Sequence, residues 1–235
     1  MKHTLLIKDW LYSFLSLWFP RCCVVCGGSL AKGEECICTM CNINLPRTDY
    51  HLRKDNPVEK LFWGKFPLER ATSFFFYRKG SDFRQVLHQL KYGGQKEIGA
   101  IMGRYMASEL QASDFFHGVD VIIPIPLHKK KQQIRGYNQS EWIARGISAI
   151  TSIPVETSGV VREKNTETQT RKSLFERWEN VDGIFHLVTP EFFVGKHILI
   201  IDDVLTTGAT TVACASAFEK ADRVRISVLT LAMAE

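Results

Sequence analysis

The segment Ile198-Leu199-Ile200-Ile201-Asp202-Asp203-Val204-Leu205-Thr206-Thr207-Gly208-Ala209-Thr210 constrains this chain more than any other. Its opening aliphatic run is short and continuous, the texture of a strand buried on both faces of a parallel sheet. The run delivers two adjacent carboxylates to the strand end, and a hydroxyl-rich loop with one glycine then enters a helical pattern at about 209–220. The same apolar texture occurs at Val121-Ile122-Ile123 and from Val224 to Leu231, with a helical pattern at about 139–150 between them. Strands alternating with helices predict an α/β fold, a parallel sheet flanked by helices. Such sheets bind ligands outside the carboxyl ends of their strands, so residues just after Ile123 and Ile201 are expected to line a site.

The chemistry of that loop is specific. A helix N-terminus offers free N–H donors and a favourable dipole, which suits a phosphate monoester, and threonine hydroxyls add neutral donors. Gly208 allows close approach of the backbone to phosphate oxygens. Asp202 and Asp203, just upstream, are placed for sugar hydroxyls or a hydrated Mg²⁺, so phosphate and ribose would be read together. A capped turn with two solvated acids would leave the apolar strand before them unexplained. No Gly-Lys-Ser/Thr phosphate loop occurs, and no GxGxxG. The segment resembles the 5-phosphoribosyl-1-pyrophosphate (PRPP) motif of type I phosphoribosyltransferases. That resemblance implies that Asp202 and Asp203 contact the ribose 2′ and 3′ hydroxyls and act at the reaction centre. It also implies that Thr206, Thr207, Gly208, Ala209 and Thr210 wrap the 5-phosphate, with Mg²⁺ held chiefly through the substrate.

A second anion site is needed for the pyrophosphate of such a ligand, and charge shows where to look. The formal charge is +5, and residues 128–172 hold nine Lys/Arg against four Asp/Glu, the whole imbalance. Directly after Val121-Ile122-Ile123 come Pro124-Ile125-Pro126-Leu127-His128-Lys129-Lys130-Lys131 and then Arg135. Prolines stiffen the turn and lysines supply point charges, so Pro126, Leu127, His128, Lys129 and Arg135 are the expected pyrophosphate contacts. A solvated basic surface is the competing reading for any single lysine.

Six of the seven cysteines lie between Cys22 and Cys41. Cys23-x2-Cys26 and Cys38-x2-Cys41 match the spacing of a closed tetrahedral Zn²⁺ site, a structural metal in a reducing cytoplasm. Cys22 could replace Cys23, and Cys36 could replace Cys38. Cys214 reads as a small core residue. The apolar residues Ile7, Trp10, Leu11, Phe14, Leu15 and Trp18 follow helical spacing and predict an amphipathic helix over 1–20 that packs on the body. That stretch carries Lys8 and Asp9 and is short for a membrane span. The zinc knuckle then occupies 21–50 and the α/β domain 51–235. The 46–70 stretch, with Pro46, Pro57 and Pro67, has the composition of a linker. Helices are expected around Phe83, Val86, Leu87 and Leu90 and from Ile98 to Met106, and a strand from Ser73 to Tyr77.

Arg135-Gly136-Tyr137-Asn138-Gln139, Arg162-Glu163-Lys164-Asn165-Thr166 and the CxxC pairs together resemble the ComF family of bacterial competence proteins. These join a cysteine knuckle to a phosphoribosyltransferase domain, and the similarity runs through Lys91-Tyr92 to Thr230. It implies a PRPP-binding core at about 116–235 under a hood at about 46–115. It also implies a loop at about 162–177 that closes on the reaction centre, where Arg162 and Lys164 neutralise the leaving pyrophosphate. The expected activity is phosphoribosyl transfer to an acceptor that the sequence does not name, with a role in natural transformation. The alternatives are a PRPP sensor or single-stranded-DNA binder without turnover, using Arg135, Tyr137 and Trp142 beside the lysines, and a zinc-knuckle adaptor docking proteins of the transformation machinery.

Overall fold

The computed structural model describes residues 20–163 and 183–235. The amphipathic helix expected before Pro20, Lys164 and most of the 162–177 loop lie outside the described residues. The strands are β1 (Leu68–Tyr77), β2 (Val121–Pro124), β3 (Val160–Arg162), β4 (Phe185–Leu187), β5 (His197–Leu205) and β6 (Arg225–Ala234). A four-stranded sheet runs in the order β1-β6-β5-β2, every pair parallel, and β3 and β4 form a small antiparallel ribbon. The segment after residue 153 extends the sheet beyond β2, where Ile122 N donates to Pro154 O and Glu156 N to Ile122 O. The α/β class read from the aliphatic runs is therefore the observed one, with β5 in the interior of the sheet.

Interior position explains the sequence texture, because alternate residues of β5 serve different cores. Leu199 and Ile201 join Phe75, Ile122, Leu229 and Leu231 on one face. Ile198 and Ile200 join Ile123, Ile226 and Val228 on the other. The first face is covered by three helices, α3 (Arg84–Tyr92), α4 (Glu97–Leu110) and α6 (Gln139–Thr151). The earlier helices are α1 (Thr39–Ile43) in the cysteine segment and α2 (Pro57–Phe62), while α5 (Lys129–Arg135) precedes α6. The second face is covered by α2, α7 (Pro190–Phe193), α8 (Ala209–Ser216) and the 3₁₀ turn Ala217–Lys220.

Helix α6 crosses α4 at backbone contact. A Cβ on Gly103 would stand 2.2 Å from Ile143 O, and one on Gly146 2.1 Å from Ala100 O, so only glycines allow this approach. The crossing fixes the height at which α6 presents its first turn to the sheet. Asn138 caps that turn by accepting from Ser140 N at 3.1 Å, and its amide donates to Ile125 O at 3.0 Å, so the helix start is bonded to the end of β2.

The proline-rich stretch expected to be a linker is folded. Thr48 N donates to Phe74 O and Phe76 N to Pro46 O, adding a short edge to β1. Asn56 and Glu59 form a capping box at the start of α2, and Val58 and Phe62 are fully buried. Two apolar anchors four residues apart are too few for periodicity to stand out, and the prolines serve as N1 of a helix and as punctuation rather than as spacers. The strand expected from Ser73 begins at Leu68, and Phe83 is the N-cap of α3 rather than part of it. No helix among the described residues is long and apolar enough to cross a membrane.

Candidate functional site

Strand β2 stops at Pro124, which pairs with Ile201, while β5 runs four residues further to Leu205. Asp202 and Asp203 thus emerge beyond the end of β2, still paired with β6 on the other side, at the edge where sheets of this class form a ligand crevice beside the chain leaving the shorter strand. Asp202 Oδ1 accepts from Ser140 Oγ at 3.2 Å and from Asp203 N at 2.8 Å. Asp203 Oδ2 lies 3.1 Å from Lys91 Nζ, with the two side chains 14% and 23% exposed. Burial, and then the neighbouring Asp203 charge, push the Asp202 carboxyl up to about 7, against the pull of Lys91 and Ser140. Cys214 is fully buried in α8, as its small apolar character led us to expect. Burial first, and then the Asp202 charge, push its thiol up, away from the reactive thiolate.

After Leu205 the chain bends through Thr206 and Thr207 to Gly208, whose φ of 77° starts α8. Thr207 Oγ1 accepts from Ala209 N at 3.4 Å. A Cβ on Gly208 would meet Phe62 Cε1 at 2.8 Å, so this glycine is required both by its left-handed backbone and by α2 lying against it. Thr206 and Thr210 are exposed at the mouth of the turn, and the first-turn amides of α8 have no carbonyl within the helix to bond.

The basic wall is more ordered than a lysine-rich loop. Pro126, Leu127 and His128 are half-buried after β2, and His128 Nδ1 caps α5 by accepting from Lys130 N at 3.3 Å. Lys129 to Lys131 are therefore the first turn of a helix, which Gly136 ends with a φ of 78°. Lys129 and Lys130 are exposed, whereas Lys131 is partly enclosed. Burial holds the Lys131 ammonium below its ordinary range, with Arg162, Arg135 and Lys91 adding repulsion and Asp203 opposing it. Arg135 donates to Gln139 Oε1 at 2.7 Å and lies over the Tyr92 ring, 5.5 Å from its centroid. Arg162, in β3, lies over the Phe185 ring, 5.3 Å from its centroid; burial holds its guanidinium below the ordinary range and the Asp202 charge opposes this.

Tyr137, expected at the surface beside Arg135 and Trp142, is buried and donates from Oη to Leu90 O at 2.6 Å. The exposed aromatic next to Arg135 is Tyr92, 69% accessible. Lys91 and Ser140 are the site residues that sequence reasoning missed. A lysine in the last turn of an amphipathic helix reads as a dipole-complementing surface charge, and Ser140 carries no signal beyond following an Asn cap.

In the cysteine segment, the sulfurs of Cys23, Cys26, Cys38 and Cys41 lie within 4.8 Å of one another. Tetrahedral Zn²⁺ with Zn–S of about 2.3 Å requires S–S separations of about 3.8 Å. The Cys26–Cys38 pair has 3.8 Å. Backbone amides point at the sulfurs, with Cys38 N donating to Cys23 Sγ at 3.3 Å and Cys41 N to Cys38 Sγ at 3.4 Å. Burial opposes ionisation of Cys23, but the amides of Cys26, Cys38 and Val25 outweigh it and bring the thiol down to about 7. The donor set fits a structural zinc with no open position. The other two cysteines stand apart. Cys22 is exposed and donates to Pro20 O at 3.5 Å, and Cys36 is buried 4.0 Å from Met102 Sδ, its thiol pushed up to about 12 chiefly by burial. The knuckle is also joined to α4 through an Arg104–Glu35 ion pair of 2.5 Å.

No family profile matches the chain. It is 29% identical over 209 residues to the DNA utilization protein YhgH of Shigella flexneri, covering 83% of this chain and 88% of that one. It is 27% identical over 225 residues to competence protein ComFC of Bacillus subtilis, covering 94% of this chain and 88% of the relative. Among solved structures it is similar to the glutamine PRPP amidotransferase of B. subtilis, with TM-score 0.35 and 20% identity over 57% of this chain and 26% of that chain. The paired cysteines, the Asp202-Asp203 strand and the Arg135–Gln139 turn thus stand in a chain that is similar, along most of its length, to competence and DNA utilization proteins, and so resembles the ComF family.

Proposed function

We propose that the crevice binds PRPP with Mg²⁺ and transfers its phosphoribosyl group to an acceptor, pyrophosphate leaving. The observation that carries this reading is the placement of Asp202 and Asp203 at the carboxyl end of β5, directly before a helix opened by Gly208 and facing Lys131, Arg135 and Arg162. Asp202 and Asp203 accept from the ribose hydroxyls, and the turn from Thr206 to Thr210 takes the 5-phosphate on its amides and hydroxyls. The segment Pro126, Leu127, His128, Lys129 and Arg135 lines the pyrophosphate side, where Arg162 and Lys164 meet the leaving group. The C1–oxygen bond breaks with its electron pair going to pyrophosphate, and the acceptor supplies the pair for the new bond. Fixed cations at the departing oxygens and oriented acids under the sugar would supply the rate. Bound Mg²⁺ would contribute charge neutralisation on the pyrophosphate. The hood, residues 46–115, would select the acceptor.

The relatives are named competence and DNA utilization proteins, which supports a competence-related role connected with natural transformation. Every described cysteine is a free thiol, which fits the cytoplasm. A second reading, a PRPP-responsive single-stranded-DNA binder without turnover, is favoured by one feature. Exposed Tyr92 lies under Arg135, and Trp142 is flanked by Lys96 at 4.7 Å and Arg145 at 6.0 Å, alternating charge with stacking surface.

Isothermal titration with PRPP and Mg²⁺ tests the site. Micromolar-range binding that the Asp202→Asn/Asp203→Asn double variant abolishes is the expected result, and absence of binding by zinc-loaded wild type would remove the proposal. Pyrophosphate release in an acceptor screen, and competition between PRPP and a single-stranded oligonucleotide, separate the two readings.

A further inference from the structure

The last turn of α3 touches both walls of the crevice through three consecutive residues. Leu90 O accepts from Tyr137 Oη at 2.6 Å, Lys91 Nζ pairs with Asp203 Oδ2 at 3.1 Å, and Tyr92 lies under Arg135 with 5.5 Å between charge and ring centroid. The outer contacts tie the helix end to the basic wall, and the middle one reaches across to the acid wall. Lys91 therefore stands between the carboxylate expected to take a ribose hydroxyl and the cations expected to take pyrophosphate.

Cations crowd one another in the crevice. Lys131 is repelled by Arg162, Arg135 and Lys91 and attracted by Asp203. Each of these groups is at least partly enclosed, where like charges repel more strongly than in water. An anion of two or more charges among them would relieve that repulsion. The Lys91–Asp203 pair, meanwhile, occupies the acid that a sugar must reach.

We propose that Lys91 is an exchangeable cation of the PRPP site. In the free protein it neutralises Asp203. When ligand enters, its ammonium turns to the pyrophosphate oxygens and releases Asp203 to the ribose, coupling recognition of the two halves of the ligand. The inference rests on the reading of the crevice as a PRPP site. A lysine suits the task, because its charge sits on a flexible four-carbon stem that can change partner without moving the helix.

Titration of wild type, Lys91→Met and Lys91→Arg with magnesium pyrophosphate, ribose 5-phosphate and Mg-PRPP tests the exchange, thermal melts serving to compare the folds. Lys91→Met is expected to weaken pyrophosphate and PRPP binding by about tenfold, and Lys91→Arg to recover most of it, since a charged contact carries roughly that much. Ribose 5-phosphate binding is expected to be unchanged or tighter in Lys91→Met, because Asp203 is already released. Pyrophosphate affinity within twofold of wild type in Lys91→Met would overturn the inference, as would parallel loss of both part-ligands, which would mean that Lys91 acts through the fold alone. Wild type that binds none of the three ligands would instead overturn the PRPP reading on which the inference stands.

Discussion

The cysteine knuckle and the crevice solve mirror-image problems by different means. The knuckle brings together four sulfurs that could hold a cation from a short stretch of chain, with backbone amides of the same stretch pointing at them. The crevice, proposed to take an anion, draws four cations from α3, α5 and β3, opposite acids on β5, and its geometry exists only when the sheet does. A site built from local spacing can be read from residue intervals. One built from topology can be read only where a strand end and a loop happen to be contiguous.

The largest effect expected is in the knuckle. Cys38→Ser should take zinc content from one equivalent per chain to near zero, removing on the order of 10 kcal/mol of metal-binding free energy, measured by metal analysis with limited proteolysis across 20–45. If PRPP affinity in that variant falls as steeply as zinc content, the two regions are one cooperative unit and the contrast fails. Next, Asp202→Asn/Asp203→Asn should weaken PRPP by at least about 100-fold while leaving zinc bound, since two ionic acceptors are lost at once. Gly208→Ala should cost about 2 kcal/mol of stability in denaturant melts and loosen the phosphate turn, from its backbone strain and its contact with Phe62. Cys36→Ala should leave zinc stoichiometry intact and cost about 1 kcal/mol for the buried sulfur beside Met102, whereas Cys22→Ser should change neither.

A further effect is a slope with pH. The folded protein holds a proton on Asp202 up to about 7, above the ordinary value of 3.8 that the unfolded chain shows. The stability this group contributes is fully present below the unfolded value and is lost as pH rises through about 7. Thermal melts from acid to mildly alkaline pH should show that decline in ligand-free wild type, and Asp202→Asn should flatten it.

What the sequence made legible follows the same division. The four clustered cysteines, which could hold a metal, declare themselves by paired intervals, and the structure separates them from Cys22 and Cys36 by geometry that the intervals do not contain. The acids and the turn from Thr206 to Thr210 are contiguous with a strand that both cores fix, so the fold class and this half of the site come from one segment. Lys91, Ser140 and the true surface aromatic, Tyr92, depend on where α3 and α6 dock. Tyr137 faces inward because the Leu90 carbonyl is its acceptor, a partner 47 residues away. The 46–70 stretch looks like a connector because its order comes from β1 and the capping box, neither of which leaves a periodic trace.

The position of β6 between β1 and β5 has a kinetic consequence. Leu68 pairs with Ile226 and Phe75 with Ala232, so β1 has only the short 46–48 edge beside it until a very long stretch of chain has been brought back to it. Loop closure over such separations slows folding. Meanwhile Phe74, Phe75 and Phe76 form an apolar edge able to pair with another chain. During synthesis this protein should therefore depend on chaperones that shield β1, and its refolding yield should fall with protein concentration well before its native stability is challenged.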